Sequence, residues 1–268
     1  MELVITFIGF IAMGAACTLL ERTWPADAAQ PRWRSDSWID AFYLGLRVFL
    51  SIALTLITVV TGRSLIAPAD TFLTRQPVWL QAIEVLLLSD LISYWIHRLL
   101  HVYGPLWGVH AIHHSAHQID WLVASRNHPL EPLLFKVLMN YPLYLLGFSP
   151  TLLGSLMPGV ATYSLLLHAN MSWGYGPVGY IIASPAFHRW HHSSEIQALD
   201  KNYAQLFSFY DYLFGTAYFP RGINSKSYGL LNESLPVGIW SHFSYPFLDL
   251  IRWLRRPQRR ANVSGGST

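Results

Sequence analysis

Charge is what this sequence lacks most. Asp, Glu, Lys and Arg make up 12% of its 268 residues, about half of the ~25% usual in soluble proteins. A surface facing water needs more charge than this to stay dispersed, so an ordinary soluble domain is excluded and a membrane protein is expected. Cysteine is nearly absent as well. Cys17 stands alone, which rules out an internal disulfide and a cysteine-held cluster. There is no C-x-x-C-H haem motif and no G-x-G-x-x-G after a strand, so no haem or flavin signature accompanies the chain.

The third absence is local. From Val137 to Phe187 there is no Asp, Glu, Lys or Arg. As one helix this run would reach roughly 76 Å, far beyond a ~30 Å hydrocarbon core. GFSP at 147–150 is the natural break, because Gly and Pro end helices. The run therefore reads as a hairpin, about 130–147 going in and 150–168 coming back, with Pro142 and Pro158 kinking the arms. Three further apolar stretches read as spans: Leu3 to Leu20, Ala41 to Gly62 with Arg47 near enough to its end to snorkel, and Trp79 to Ile96 with Glu84 and Asp90 embedded. The expected fold is all-α and polytopic, with about four to five spanning helices. Residues 1–255 are expected to form a single integral-membrane domain. Residues 256–268 read as a basic disordered tail, and RWLRRPQRR at 252–260 as a membrane-surface anchor rather than a nucleic-acid patch.

Orientation follows from the positive-inside rule. Arg22, Arg32 and Arg34 lie between the first two spans, which places that loop in the cytoplasm. Counting spans onward, the end of the third span and both ends of the hairpin face the cytoplasm as well.

What is abundant at that face is histidine. HRLLH at 97–101, HAIHH at 110–114 and HRWHH at 188–192 hold eight of the 12 histidines. With that many histidines, a given H-x-x-H-H should arise by chance only about 0.02 times, yet two copies occur. His97 and His101 are four apart, so one helix face carries both. His113 and His114 diverge by about 100°, so one turn can serve two metal ions; the same holds for His188, His191 and His192. Eight imidazoles exceed the four to six ligands of one first-row ion, so two metals fit better. Imidazole suits zinc, iron, copper and nickel alike. A zinc-protease site is disfavoured, since Arg98 stands where H-E-x-x-H needs its glutamate.

The three boxes, with HHSAHQIDWLVASRNHPLE after the second, HAN at 168–170 and KNYAQLFSFYDYLFGT at 201–216, resemble the fatty acid hydroxylase/sterol desaturase superfamily. The resemblance spans roughly 85–216. It implies a helical metal-binding cap on the cytoplasmic face. It also implies a di-iron, non-haem oxygenase that hydroxylates or desaturates a lipid C–H bond with dioxygen. Electrons would come from an external donor: a b-type cytochrome, a ferredoxin or a reductase. The implied ligands are His97, His101, His110, His113, His114, His188, His191 and His192. His168 is either a further ligand or a structural histidine. Asn170 is a candidate outer partner of the site, and Asp90, two turns before His97, is expected to orient a ligand histidine by accepting its second N–H. Arg126 is expected to pair locally with Glu131. The rival reading is a membrane zinc-binding or transport protein, and no nucleic-acid partner is expected. A bacterial inner membrane fits the compact loops, with the endoplasmic reticulum as the alternative.

Overall fold

The computed structural model describes residues 2–65, 71–220, 222–231, 235 and 238–255, and of residues 2–7 and 55–65 the backbone alone. The tail expected over 256–268 lies outside the described residues. The fold is all-helical, with no strands among the described residues. α1 runs over Glu2–Thr23, α2 over Ser37–Leu65, α3 over Val78–Val102 and α4 over Gly104–His114. α5 covers Leu130–Leu145, α6 Pro150–His168, α7 Pro185–His191, α8 Phe209–Leu213 and α9 Ile239–Arg255.

Among the described residues three stretches are long and apolar enough to cross a membrane: Ser37–Leu54, Val78–Val102 and Pro150–His168. They are apolar outward as well as inward. Phe49, Ile52, Trp79, Ile83 and Trp95 are all exposed, as befits helices that face lipid rather than water. α1 covers the first expected span in 22 residues. The hairpin forms as the charge-free run predicts. α5 ends at Leu145, Gly147 turns the chain at φ 101°, and Ser149 caps α6 by accepting from the Leu152 amide. At 16 residues α5 is shorter than a full crossing. Val85 of α3 packs with Leu143, Tyr144, Phe148 and Leu153 of the hairpin in one apolar cluster.

At one end of the bundle the chain turns polar. Arg34, just ahead of α2, reaches Asp36 at 3.0 Å, Asp40 at 2.6 Å and Asp120 at 2.7 Å. Arg126 bonds the other side of Asp36 at 2.7 Å and also pairs with Asp40. Arg126 thus does not pair with Glu131, as sequence proximity suggested; two carboxylates some 90 residues earlier outcompete the neighbour. Removing one member of such a buried set costs about 3–5 kcal/mol, because the others keep their charge without a partner. This network joins the start of α2 to the 3₁₀ turn Trp121–Ser125 beside the second histidine box.

Arg47 also departs from expectation. It does not snorkel. Its guanidinium turns inward and donates to Ala124 O at 2.6 Å and Ala161 O at 3.3 Å, tying α2 to that turn and to α6.

α4 folds back from α3 at Tyr103, whose backbone is extended. Gly104 leaves room for Trp253 of α9, since a Cβ there would meet the indole at 2.5 Å.

Candidate metal centre

The boxes converge at the polar end of the bundle. α3 supplies His97 and His101, α4 supplies His110, His113 and His114, and the last residue of α6 is His168. α7 supplies His188 and His191, and His192 is its C-cap. α7 starts where sequence chemistry says it should: Ser184 accepts from the Phe187 amide, and Pro185 opens the first turn.

The nine imidazoles fall into two groups. His97, His101, His110, His114 and His191 form one; His113, His168, His188 and His192 form the other, and within each the nitrogens lie within 4.8 Å of one another. Helix geometry sorts them. His110 and His114, one turn apart, join the same group, while the adjacent His113 points into the other. His188 and His192 likewise pair off, and His191 crosses over.

Hydrogen bonds show which nitrogen is bare in several of the rings. His97 Nδ1 donates to Tyr203 O at 2.7 Å, His191 Nδ1 to Lys201 O at 2.8 Å, and His168 Nδ1 to Ser164 O at 2.7 Å. A carbonyl only accepts, so these rings carry their proton on Nδ1 and present Nε2 as a lone pair. His113 follows the same pattern toward Arg126 O at 3.3 Å. The Nε2 atoms then face one another. His168 Nε2 is 3.0 Å from both His113 Nε2 and His188 Nε2, and His114 Nε2 is 3.1 Å from His191 Nε2. Where both rings carry the proton on Nδ1, as His113 and His168 do, two bare lone pairs at that distance repel unless a cation lies between them. His101 Nε2 and both nitrogens of His192 are buried with no hydrogen-bond partner, the state of a donor reserved for a metal. The residues present therefore fit metal ions in both groups.

Burial first, and neighbouring imidazoles second, hold His113, His114, His188, His191 and His192 well below the usual histidine range. Neutral rings are what metal binding requires.

Glu131 is the residue that sequence reasoning misassigned. Its Oε2 accepts from His110 Nδ1 at 3.1 Å, an outer carboxylate on a candidate ligand. The signal was the last acid before the charge-free run, 17 residues after the second box. Asp90, expected in such a role, does not reach an imidazole. Its two oxygens take the amides of Leu206 at 2.9 Å and Phe207 at 2.7 Å. It thereby holds one end of the 201–207 segment whose carbonyls orient His97 and His191. Asp211 holds the middle, accepting from the Tyr203 and Ala204 amides at 2.8 Å each. Asn170 is also corrected. It exchanges hydrogen bonds with the Asp27 backbone, and its amide donates to Glu21, so it anchors the chain after His168 to the end of α1 without touching a ring. Of the histidines left outside the boxes, His117 lies 3.4 Å from Tyr228 O, and His128 lies against Phe243 and Phe247.

A cavity of about 980 Å³ opens onto both groups. His97, His110, His113, His168 and His188 line one end, and Phe148, Leu153 and Met157 of the hairpin line the other. Its size and mixed lining suit a lipid-sized ligand.

Comparison with known proteins places this geometry in a family. The fatty acid hydroxylase model matches residues 82–216, half of the chain. The ornithine lipid hydroxylase OlsE of Rhizobium tropici is 30% identical over 171 residues, 64% of this chain and 51% of that protein. Alkylglycerol monooxygenase of Danio rerio is 30% identical over 161 residues, 59% of this chain and 35% of the relative. A very-long-chain aldehyde decarbonylase of Oryza sativa subsp. indica, GL1-11, is 29% identical over 150 residues, 51% of this chain and 52% of its own. The chain thus spans about half the length, or less, of these curated relatives. No solved structure matches. The matched segment begins in the first turns of α3 and ends just past α8, so it contains all nine clustered histidines and the segment that orients them; on that agreement the chain is a membrane protein of the fatty acid hydroxylase family.

Proposed function

We propose that this protein is a lipid hydroxylase with a di-iron centre. One observation carries the reading: bare Nε2 lone pairs converge in two groups at the end of a lipid-sized cavity within a membrane bundle. The five- and four-histidine groups would each hold one iron. When bound, the irons would supply the dioxygen chemistry that cleaves an unactivated C–H bond. Hydroxylation puts one oxygen atom of O₂ into the lipid. The other leaves as water, with two electrons and two protons from an external donor.

The chain's own part is placement. Tyr203 O, Lys201 O, Ser164 O and Glu131 fix the ring orientations. The cavity admits an alkyl chain and keeps bulk water from the reacting carbon. Names of the relatives support a lipid as substrate: one is an ornithine lipid hydroxylase, another an alkylglycerol monooxygenase. Arginines 22, 32 and 34 support a cytoplasmic position for the site, within reach of a soluble or membrane-bound electron donor.

The test is lipid mass spectrometry on cells grown under oxygen-18, comparing intact protein with His113→Ala, alongside metal analysis of the purified protein. A lipid that gains one labelled oxygen only with the intact chain, and near two irons per chain, is the expected result. Loss of two hydrogens without label would make it a desaturase. A single exchangeable zinc and unchanged lipids would sink the oxygenase reading.

A further inference from the structure

Arg47 is a cation placed inside the lipid-facing part of the fold; it feels the charge of Glu131, but that carboxylate is hydrogen-bonded to His110. Among the described residues no carboxylate pairs with it. Its two hydrogen bonds go to Ala124 O and Ala161 O, and its guanidinium carbon lies 5.4 Å over the Phe10 ring. A guanidinium has five N–H donors, so most of its capacity is unspent. A charge set within a membrane span is costly unless it is matched, and marks a functional position.

Arg47 lines the same cavity as the histidines. Two more cavity residues stand beside it. Tyr43 is one helical turn earlier on α2, and Ser125 follows Ala124, whose carbonyl Arg47 holds. Both are buried to 1% exposure, and the Tyr43 hydroxyl and Ser125 Oγ have no hydrogen-bond partner. The cavity's own acids are committed elsewhere, Asp90 to two backbone amides and Glu131 to His110. Among the described residues, what the wall lacks is a carboxylate within ion-pair distance of the Arg47 guanidinium.

We propose that Arg47, with Ser125 and Tyr43, forms the subsite for an anionic oxygen head on the lipid, a carboxylate or a phosphate. The proposal deepens the hydroxylase reading and rests on it for the word substrate. It also fixes where on the lipid the site works. Arg47 touches α6 at Ala161, seven residues before His168, which is about 10 Å along the helix. An extended chain advances ~1.2 Å per bond, a third of the per-residue span. A head seated at Arg47 therefore puts the four-histidine group within about eight bonds of it. Oxygen then enters near the head.

The test reads binding, not turnover. Metal-loaded protein in detergent is titrated with labelled hexadecanoate, its methyl ester, and dipalmitoyl phosphatidate. The intact protein should favour at least one of the two anions over the ester by about tenfold, the worth of one charged hydrogen bond. Preference for hexadecanoate identifies a free carboxylate, and preference for phosphatidate a phosphorylated lipid. Arg47→Gln should bring the favoured anion down to the ester's affinity, with Arg47→Lys restoring part of it. Ser125→Ala, a milder change that tests the subsite if Arg47→Gln does not fold, should lower the preference by about threefold. Equal binding of all three lipids by the intact protein overturns the proposal and leaves Arg47 a tie between α2 and α6. A retained preference with no oxygen entering any lipid would instead sink the hydroxylase reading and spare the subsite.

Discussion

The two imidazole groups are built from the same second and third boxes, yet they are braced differently. In the five-membered group, His97 and His191 are oriented by carbonyls of the 201–203 segment, His110 by Glu131, and His101 lies 3.5 Å from Asp200. That segment is itself pinned by Asp211 and Asp90. In the four-membered group the bracing is thinner. His168 is oriented from within its own helix, His113 by a long 3.3 Å contact, and His188 Nδ1 and both His192 nitrogens have no partner. Three of these four line the cavity, against two of the other five. Five imidazoles nearly fill a first-row ion's coordination, while four leave positions open. On the di-iron reading, the five-histidine group is the tightly held site and the four-histidine group the cavity-facing one.

The largest effects should come from the neighbours His113 and His114. Alanine at either should cut hydroxylation by more than about a hundredfold, beyond the 10–100-fold typical of losing an outer partner. The informative reading is iron content with Mössbauer spectra. Each variant should lose about one iron, and the iron retained should differ between them. Loss of the same spectral component in both would collapse the two-site distinction.

Next comes the segment that braces only the five-membered group. Asp211→Ala leaves the Tyr203 and Ala204 amides and Thr216 Oγ1 without their acceptor, a cost of about 2–4 kcal/mol. A lower melting temperature in detergent should be accompanied by early loss of the five-histidine metal. Glu131→Gln is gentler. It keeps a hydrogen-bond acceptor but removes the charge, and should weaken metal at the same group by about tenfold. Chelator titration checks it, and equal weakening of both metals would mean the groups are not braced separately.

How far this was legible in the sequence depends on the range of the interaction. Sorting His113 and His114 into different groups needs only the 100° step of a helix. The hairpin needs only an absence of charge and the GFSP break. His168 could be left as either ligand or structural residue because its approach depends on where α6 ends. Asp90 and Asn170 misled for the same reason. Asp90 finds its partners at residues 206 and 207, over 110 positions away, and no periodicity announces them. Arg47 reads from the sequence as a snorkelling cation, since a one-dimensional pattern does not show that Ala124 and Ala161 carbonyls await it inside.

The smallest expected effect concerns the ionic network at the polar end, which reaches the cavity-facing group through Arg126, whose carbonyl accepts from His113. Burial alone would raise the Asp36 carboxyl, but the Arg126 and Arg34 guanidiniums outweigh it and hold it below the usual carboxylate range. The folded pKa is thus depressed. Asp36 adds stability that is present above the unfolded value of about 3.9 and lost as pH falls through the lower folded value. Metal-free protein, in which ligand protonation cannot be confused with metal release, should melt at a lower temperature at pH 3 than at pH 5. Asp36→Asn should melt lower than the intact chain at pH 5 and lose part of that pH dependence. Because the Asp36 side chain is 28% exposed, water screens the pair and the change should be a few degrees at most. An unchanged slope in Asp36→Asn would mean that Asp36 is not the source of the acid sensitivity.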